Sequence, residues 1–232
     1  DGLILILDSS RADFRMRIFN PDGSEAETCG NGLRCFARYV IEKGLTRKRN
    51  LAIETLAGIA HAEHRGEQVR IGMGTPQLEP SKIPVAVSGW SAPVLDYPLT
   101  VEGKTLALSL VSMGNPHAVA FLEEPVSDFP LHEIGPRVEH HSLFPRRTNF
   151  EIDNTVDRDH LRVRIWERGA GETLSCGSGA CAVAVAARLK GLSSDTVEIE
   201  VPGGTLVLEW NGSGEVLMTG PAEQVFEGEW PE

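Results

Sequence analysis

Two segments of the chain repeat apolar residues with the period of an α-helix. In the first, Leu33, Phe36, Ala37, Val40 and Ile41 fall at i, i+3, i+4, i+7 and i+8, which predicts a helix with one apolar face. Residues 180–189 are apolar almost all round, which predicts a buried helix. Both segments end in Lys-Gly-Leu, where the glycine can take the left-handed conformation that closes a helix.

Shorter segments alternate between apolar and polar residues and predict strands. Met16 and Ile18 supply the apolar positions of one strand, and Val163 and Ile165 supply those of another. Residues 2–7 are almost continuously apolar and lack the basic flank and cleavage site of a signal peptide, so they predict a buried strand. Further strands are predicted at residues 51–54, 59–64, 68–72, 106–113, 197–201, 205–210 and 216–218.

The elements recur because the chain contains two copies of one unit. The hexapeptide that begins at Arg15 aligns with the one at Arg162, and Cys29-Gly-Asn-Gly aligns with Cys176-Gly-Ser-Gly at the same separation (176 − 29 = 147). Lys-Gly-Leu recurs at this separation too, and an Ile-Glu dipeptide after each helix recurs at one residue less. Matching segments that keep a nearly constant separation in this way indicate a tandem duplication.

Prolines mark the boundary between the two units. Five of them fall between residues 75 and 98, a density that breaks helices and strands. We therefore predict an N-terminal domain of residues 1–75, to which residues 222–232 return, and a C-terminal domain of residues 76–221 whose first strand is at 106–113. One helix per unit among many strands predicts an α/β (α+β) fold. Its two pseudo-twofold-related domains are each a mostly antiparallel sheet or barrel wrapped around a central helix.

Composition and charge argue against several kinds of partner. The 232 residues are 41% hydrophobic and 24% charged, with a formal net charge of −11 and a pI near 5.1. Such an acidic surface repels phosphate backbones, so we expect no nucleic-acid partner. No apolar run approaches the roughly 20 residues of a membrane-spanning helix, so we expect no membrane partner. The four cysteines lack the spacing of structural zinc sites, so we expect free thiols and no metal.

Cys29 and Cys176 come just before the two predicted helices. Exposed N–H groups of a first helical turn stabilise a thiolate and can lower a cysteine pKa from about 8.5 to roughly 3.5–7.5. The neighbouring glycines let a carboxylate approach these N–H groups. If the two helix starts converge on one cleft, a carboxylate held there has a thiol on each side of its α-carbon. This arrangement suits inversion of a stereocentre by one acid and one base, with no cofactor required.

Other interpretations of these segments predict no catalysis. A helix cysteine is often a small buried apolar side chain, and we favour this role for Cys35 and Cys181. A Gly-x-Gly-x-x-Ala pattern begins at Gly177, but it does not directly follow its strand, as a dinucleotide-binding motif requires. The adjacent His140 and His141 are interpreted as solvated loop residues.

Five longer motifs resemble the diaminopimelate epimerase family. They are Arg17-Ile-Phe-Asn-Pro-Asp-Gly-Ser24, Cys29-Gly-Asn-Gly-x-Arg-Cys35, Ser112-Met-Gly-Asn-Pro-His117, Glu167-Arg-Gly-Ala-Gly-Glu-Thr173 and Cys176-Gly-Ser-Gly-Ala-Cys181. The resemblance implies a cytoplasmic, cofactor-independent isomerase, generally a homodimer. Such an enzyme converts LL-diaminopimelate into meso-diaminopimelate, on the route to lysine and peptidoglycan, by a two-thiol mechanism.

The resemblance also implies roles for individual residues. Cys29 and Cys176 would be the acid/base pair, with His117 and Glu167 supporting catalysis, and Phe226 would contact a second subunit. The substrate would be bound by Asn20, Gly30, Asn31, Asn115, Asn149, Glu167, Arg168, Gly177 and Ser178.

Each assignment outside the cysteine pair has a structural alternative. Asn20 and Asn115 could be turn residues, and Glu167 with Arg168 could be a surface ion pair. His117 could be a hydrogen-bonded structural histidine, and Phe226 could be a core residue.

The chain departs from the family's pattern at its start. The family opens with Gly-x-Gly-Asn-Asp-Phe, whose asparagine binds substrate, and this chain has no such segment. The counterpart of Asn115 in the first unit would precede position 1. We therefore expect the sequence to be part of a longer protein, which an intact-mass measurement would test. A truncated form would have a destabilised first domain and little activity.

Two other classes of protein compete with the epimerase interpretation. A proline-type racemase has two cysteines but lacks the Glu-Arg-Gly-Ala-Gly-Glu-Thr segment, and a phenazine-type isomerase lacks the thiol pair. A non-catalytic redox-sensing or ligand-binding protein could instead use the two thiols as a switchable disulfide.

Overall fold

The computed structural model describes residues 2–229 and divides into two compact units. The first unit contains the chain up to Gly72 and the segment from Thr219 onward, and the second unit is Met73–Met218. No helix among the described residues is both long enough and apolar enough to cross a membrane.

The first unit is a sheet with one helix. Its strands are β1 (Leu3–Leu7), β2 (Phe14–Phe19), β3 (Glu25–Ala26), β4 (Asn50–Thr55), β5 (Gly58–Arg65) and β6 (Gln68–Gly72), and its helix is α1 (Gly30–Glu42). The order β1-β2-β4-β5-β6 is antiparallel except between β2 and β4, and β3 pairs with β2. The apolar face of α1 buries Leu33, Phe36, Ala37 and Val40, as its sequence period predicts.

The second unit has a longer sheet and two helices. Its elements are β7 (Tyr97–Val101), β8 (Lys104–Ser112), β9 (Pro116–Phe121), α2 (Leu131–Glu139), β10 (Asn149–Thr155), β11 (His160–Glu167), β12 (Gly171–Thr173), α3 (Gly177–Leu189), β13 (Thr196–Val201) and β14 (Gly204–Glu209); β15 (Leu217–Pro221) crosses the unit boundary. The order is β14-β13-β11-β10-β9-β8-β7, with β12 paired to β11. Helix α3 packs against β8, β9, β10 and β14.

Strand registers confirm the duplication residue by residue. Ile18 pairs with Ala26 in β2–β3, and Ile165 pairs with Thr173 in β11–β12, each shifted by 147 positions (165 − 18 = 147). Both hairpins are closed by a bidentate ion pair between equivalent residues. Arg17 donates Nε and Nη2 to Glu25 at 2.7 and 2.8 Å, and Arg164 donates the same atoms to Glu172 at 2.7 and 3.0 Å. The predicted α/β fold, with mostly antiparallel sheets and repeated helices, is therefore confirmed.

Three structural expectations were wrong. Strand β1 is only half-buried: it lies at an edge of the sheet, and Leu3 is 62% exposed. The first strand of the second unit is β7, not residues 106–113, and Pro98 is accommodated because β7 lies at the sheet edge, where a missing N–H breaks no ladder. Cys35 is exposed on α1, whereas Cys181 is buried as expected.

Helix α2 was not predicted from the sequence. It packs through Leu131, Ile134 and Val138 into a core cluster with alternate residues of β8, β9 and β10. The other face of these strands carries α3, so the second unit is covered by helices on both faces. Pro136 lies inside α2, and proline is a residue type that usually breaks a helix.

Candidate functional site

The start of α1 is built around Cys29. This residue is the N-cap, with extended backbone angles (φ −150°, ψ 119°), and its sulfur accepts the N–H of Gly32 at 3.4 Å. A Cβ at Gly32 would lie 3.2 Å from the side-chain ends of Ile4 and Ile18, so the glycine lets the start of α1 approach β1 and β2 closely. The Asn31 side-chain oxygen is buried and has no hydrogen-bond partner. The first turn of α1 therefore offers a half-buried thiol, free N–H groups and an unused acceptor.

The start of α3 places Cys176 in the same position with different surroundings. Cys176 is the N-cap in a similar extended conformation (φ −126°, ψ 113°), but it is only 7% exposed. Its sulfur lies 3.4 Å from the Ser178 hydroxyl. Burial, followed by the negative charge of Glu167, raises the pKa of Cys176 to about 12. For this thiol the lowering expected from the helix start is wrong, because burial outweighs it.

A hydrogen-bonded chain connects the Cys176 site to the interior of the sheet. Asn115 donates its amide to the Ser178 hydroxyl at 3.5 Å, and its carbonyl oxygen lies 2.9 Å from His117 Nε2. On the other side of the ring, His117 Nδ1 lies 2.7 Å from a carboxylate oxygen of Glu151. His117 and Glu151 are fully buried. Asn115 is thus more than a turn residue, because both ends of its amide are used.

The ends of β10 and β11 carry the next group of predicted site residues. Asn149 is buried, donates to the Pro116 carbonyl at 2.9 Å and accepts the Arg168 backbone N–H at 2.9 Å. Glu167 accepts the Thr173 hydroxyl at 2.6 Å. Glu167 and Arg168 form no ion pair with each other; the exposed Arg168 side chain donates instead to the Arg146 carbonyl at 3.2 Å.

Two predicted residues lie apart from these groups. Asn20 is exposed at the end of β2, where it donates to the Ser24 hydroxyl at 3.0 Å within a turn. Phe226 is 85% exposed, so its interpretation as a core residue is wrong.

The family model for diaminopimelate epimerase matches residues 1–79 and 109–225, which is most of the chain. The chain belongs to the diaminopimelate epimerase family. Curated family members are closely similar over nearly the whole chain. The diaminopimelate epimerase of Moorella thermoacetica is 53% identical, over 100% of this chain and 84% of that protein. That of Acetivibrio thermocellus is 49% identical, over 99% and 83%.

More distant solved structures share the fold of this diaminopimelate epimerase family member. A phenazine biosynthesis protein of the PhzF family from Enterococcus faecalis superposes with a TM-score of 0.69 at 15% identity, covering 100% of this chain and 83% of that one. A hydroxyproline epimerase from Agrobacterium vitis gives a TM-score of 0.63 at 19% identity, covering 95% and 71%. At these identities the likeness shows the fold alone.

One residue of the Cys176 site was not predicted from the sequence. Glu151 lies on β10 in the predicted second domain but outside the five motifs that carry the family resemblance. A signal for it was available in the duplication, because the equivalent position of the first unit is Ile4. An apolar residue in one copy and a carboxylate in the other marks a place where the copies differ in chemistry.

Proposed function

We propose that this protein interconverts LL- and meso-diaminopimelate by a two-thiol acid/base mechanism, supplying lysine and peptidoglycan synthesis. The observation that carries the proposal is that Cys29 and Cys176 are the N-caps of equivalent helices in a chain of this family. Each half of the chain is, in this proposal, one epimerase domain that contributes one thiol.

The chemistry follows from the helix starts. The α-proton of an amino acid is weakly acidic because the carbanion charge can spread into the adjacent carboxylate. The free N–H groups of Gly30, Asn31, Gly177 and Ser178 would stabilise that charge as it develops. One cysteine removes the proton from one face of the carbon and the other cysteine delivers a proton to the opposite face, so the configuration inverts. The thiols perform both transfers, and the mechanism needs no cofactor.

The electrostatics of Cys176 assign its resting state. Because burial and Glu167 raise its pKa to about 12, Cys176 is a neutral thiol at neutral pH and is poised as the proton donor. Cys29 is then the base in that direction, and the roles reverse for the other substrate. The Ser178 hydroxyl can donate to the Cys176 sulfur at 3.4 Å once the sulfur has given up its proton.

The polar residues around the thiols would bind the two ends of the substrate. The backbone N–H groups of the first helical turns and the Asn31 side chain suit the reacting carboxylate. Arg168 is exposed, and because an arginine can pair with a carboxylate in a bidentate manner, it suits the distal carboxylate. Glu167 suits an ammonium group. Asn20, Asn115 and Asn149 supply further amide donors and acceptors in this proposal.

Solvent exchange tests the mechanism. The wild-type protein should incorporate deuterium at the α-carbon of LL- and meso-diaminopimelate in heavy water under reducing conditions. Cys29→Ser and Cys176→Ser should each lower the rate by about 10²- to 10⁴-fold, because each removes one acid/base group. Cys35→Ser, which changes an exposed thiol on α1 outside the proposed site, is the matched control. Exchange into proline instead, or none at all, would contradict the proposal and favour a racemase of another class or a redox-sensing protein.

We also propose that the protein is a cytoplasmic homodimer. The terminal segment presents Val225 and Phe226 at 89% and 85% exposure, which supports a contact with a second subunit. Sedimentation equilibrium of the wild-type protein and of Phe226→Ser tests this, with a weaker dimer expected for the variant and an unchanged association constant counting against it.

A further inference from the structure

Two carboxyl side chains are buried in the sheet of the second unit where the first unit has isoleucines. Ile4 pairs with Ile18 in β1–β2, and Glu151 pairs with Ile165 in β10–β11, at the repeat separation (151 − 4 = 147). Asp153 corresponds in the same way to Ile6. Burying a carboxyl group is unfavourable by several kcal/mol unless it is compensated. The first unit shows that this strand position can hold an apolar side chain, so the carboxyl at 151 is not required by the fold.

Only one of these carboxyl groups is connected to a thiol. Glu151 contacts His117, which contacts Asn115 and, through Ser178, leads to Cys176. Glu151 also lies directly under the first turn of α3, since a Cβ on Gly179 would be 2.9 Å from its Oε1.

Asp153 has a different set of contacts. One of its carboxylate oxygens accepts the Thr155 hydroxyl at 2.9 Å, and the other is buried without a partner. No hydrogen bond seen among the described residues leads from its side chain toward Cys176.

The hydrogen-bond directions in the Glu151 chain are fixed by the chemistry of the groups. Asn115 donates its NH₂ to Ser178, which leaves only its carbonyl oxygen to face His117, so His117 Nε2 must carry a proton. A neutral imidazole has one N–H, which could sit on either nitrogen. The Asn115 carbonyl oxygen places it on Nε2, and two arrangements of the carboxyl group at Nδ1 agree with this. A carboxylic acid donates to a bare Nδ1, and a carboxylate accepts from an imidazolium Nδ1–H. In both forms Nε2 remains protonated.

We propose that Glu151 is a positioning residue, which holds His117 with Nε2 protonated and thereby orients the Asn115 amide and the Ser178 hydroxyl beside Cys176. The proposal rests on the proposed function of that thiol. With Asn115 oriented in this way, the Ser178 hydroxyl accepts from Asn115 and is left to donate its own proton to the sulfur. The Cys176 thiolate that forms during turnover then receives a hydrogen bond at a site where burial opposes the charge.

The surroundings of Glu151 shift the pKa of its carboxyl group. Burial, and to a smaller extent the negative charge of Glu167, raise the pKa of Glu151, while the neighbouring His117 lowers it. Burial is the largest of these effects, so the pKa of Glu151 lies above its ordinary value. The same carboxyl acts electrostatically on Cys176 and raises the pKa of that thiol.

Three variants separate positioning from packing. Glu151→Gln keeps a donor for Nδ1, whereas Glu151→Ile installs the side chain found at the equivalent position of the first unit and removes the donor. Asp153→Ile is the matched control, since it replaces a buried carboxyl two residues along the same face of β10. We expect kcat to fall about 100-fold in Glu151→Ile and to stay within a few-fold of wild type in Glu151→Gln and Asp153→Ile. Should Glu151→Ile fail to fold, Glu151→Met removes the donor with less change of shape.

A second measurement does not depend on turnover. In ¹⁵N spectra of histidine-labelled protein, with His117 assigned through His117→Gln, the wild type and Glu151→Gln should show Nε2 protonated. Glu151→Ile should lose this single state, and Asp153→Ile should keep it. An unchanged His117 spectrum in Glu151→Ile, or an equal loss of kcat in Glu151→Ile and Asp153→Ile, would overturn the proposal. Absence of α-proton exchange in the wild type would instead reject the proposed function, and the ¹⁵N result would still decide the positioning role.

Discussion

The two cysteines at the helix starts differ in what surrounds their sulfur atoms. Cys29 is half-buried and accepts a backbone N–H from its own helix at 3.4 Å. Cys176 is buried, contacts a side-chain hydroxyl and faces the charge of Glu167. The duplicated helix starts keep the backbone and change the side chains, so the two thiols proposed to act on opposite faces of one α-carbon have unlike surroundings.

Selective alkylation checks this asymmetry. Thiols react as thiolates and only when they are accessible, so iodoacetamide at pH 8 should label Cys29 before Cys176 in the substrate-free protein. Burial slows the alkylation of Cys176 in two ways, because it limits access to the sulfur and raises the pKa of the thiol to about 12. Peptide mapping measures the order directly, because Arg34 allows trypsin to separate Cys29 from the exposed Cys35. Labelling of Cys176 at the same rate as Cys29 would contradict the expected asymmetry.

At the scale of elements, the hydrophobic periodicity of the sequence predicted helices and strands correctly where the period is clear. Helix α1 contains the predicted apolar face, and β6 has the predicted bounds, residues 68–72. Both helices begin immediately after a Cys and close at a Lys-Gly pair. The exposure of β1 could not be predicted, because an apolar run does not reveal whether neighbouring strands cover it. Helix α2 was missed because Pro136 and Gly135 resemble a loop, and only packing against Trp166 accounts for the glycine.

The contact between each helix and its sheet predicts unequal effects of equivalent substitutions. In Gly179→Ala the new Cβ would lie 2.9 Å from Glu151 Oε1, which is held by His117, and 3.1 Å from the Ile165 side chain. In Gly32→Ala the nearest atoms are side-chain methyl groups at 3.2 Å, which can move. We expect Gly179→Ala to lower the free energy of unfolding by roughly 1–3 kcal/mol. Gly32→Ala should have a smaller effect, because alanine is the better helix former by about 1 kcal/mol.

Urea denaturation of the two glycine variants and the wild type measures this difference. An equal loss of unfolding free energy in the two variants would contradict this expectation. It would show that the Glu151 carboxyl group under α3 moves as readily as a methyl group.

At the scale of the whole molecule, the duplication organises both the fold and the proposed chemistry. The backbone registers of the two units coincide, and so do the bidentate Arg–Glu pairs. The motifs predicted Asn115, His117, Ser178 and Cys176 as site residues, and the structure joins these four residues in one hydrogen-bonded chain. The motifs could not predict Glu151, because its proposed role depends on His117, which the parallel pairing of β9 and β10 brings beside it.

The buried carboxyl of Asp153 makes the stability of the protein depend on pH. Burial raises its pKa from 3.8 to about 7, so the folded protein keeps a proton that the unfolded chain has lost. A raised acid pKa leaves stability unaffected below about pH 4 and lowers it progressively as the pH rises toward 7, after which the loss is constant. Between pH 5 and pH 8 the wild type should therefore lose about 2–3 kcal/mol more unfolding free energy than Asp153→Asn, which cannot ionise. Any contribution of Glu151 is present in both proteins and cancels from the comparison. Urea denaturation at the two pH values gives the difference, and parallel pH dependences in the two proteins would mean that Asp153 ionises in the folded state at its ordinary pKa.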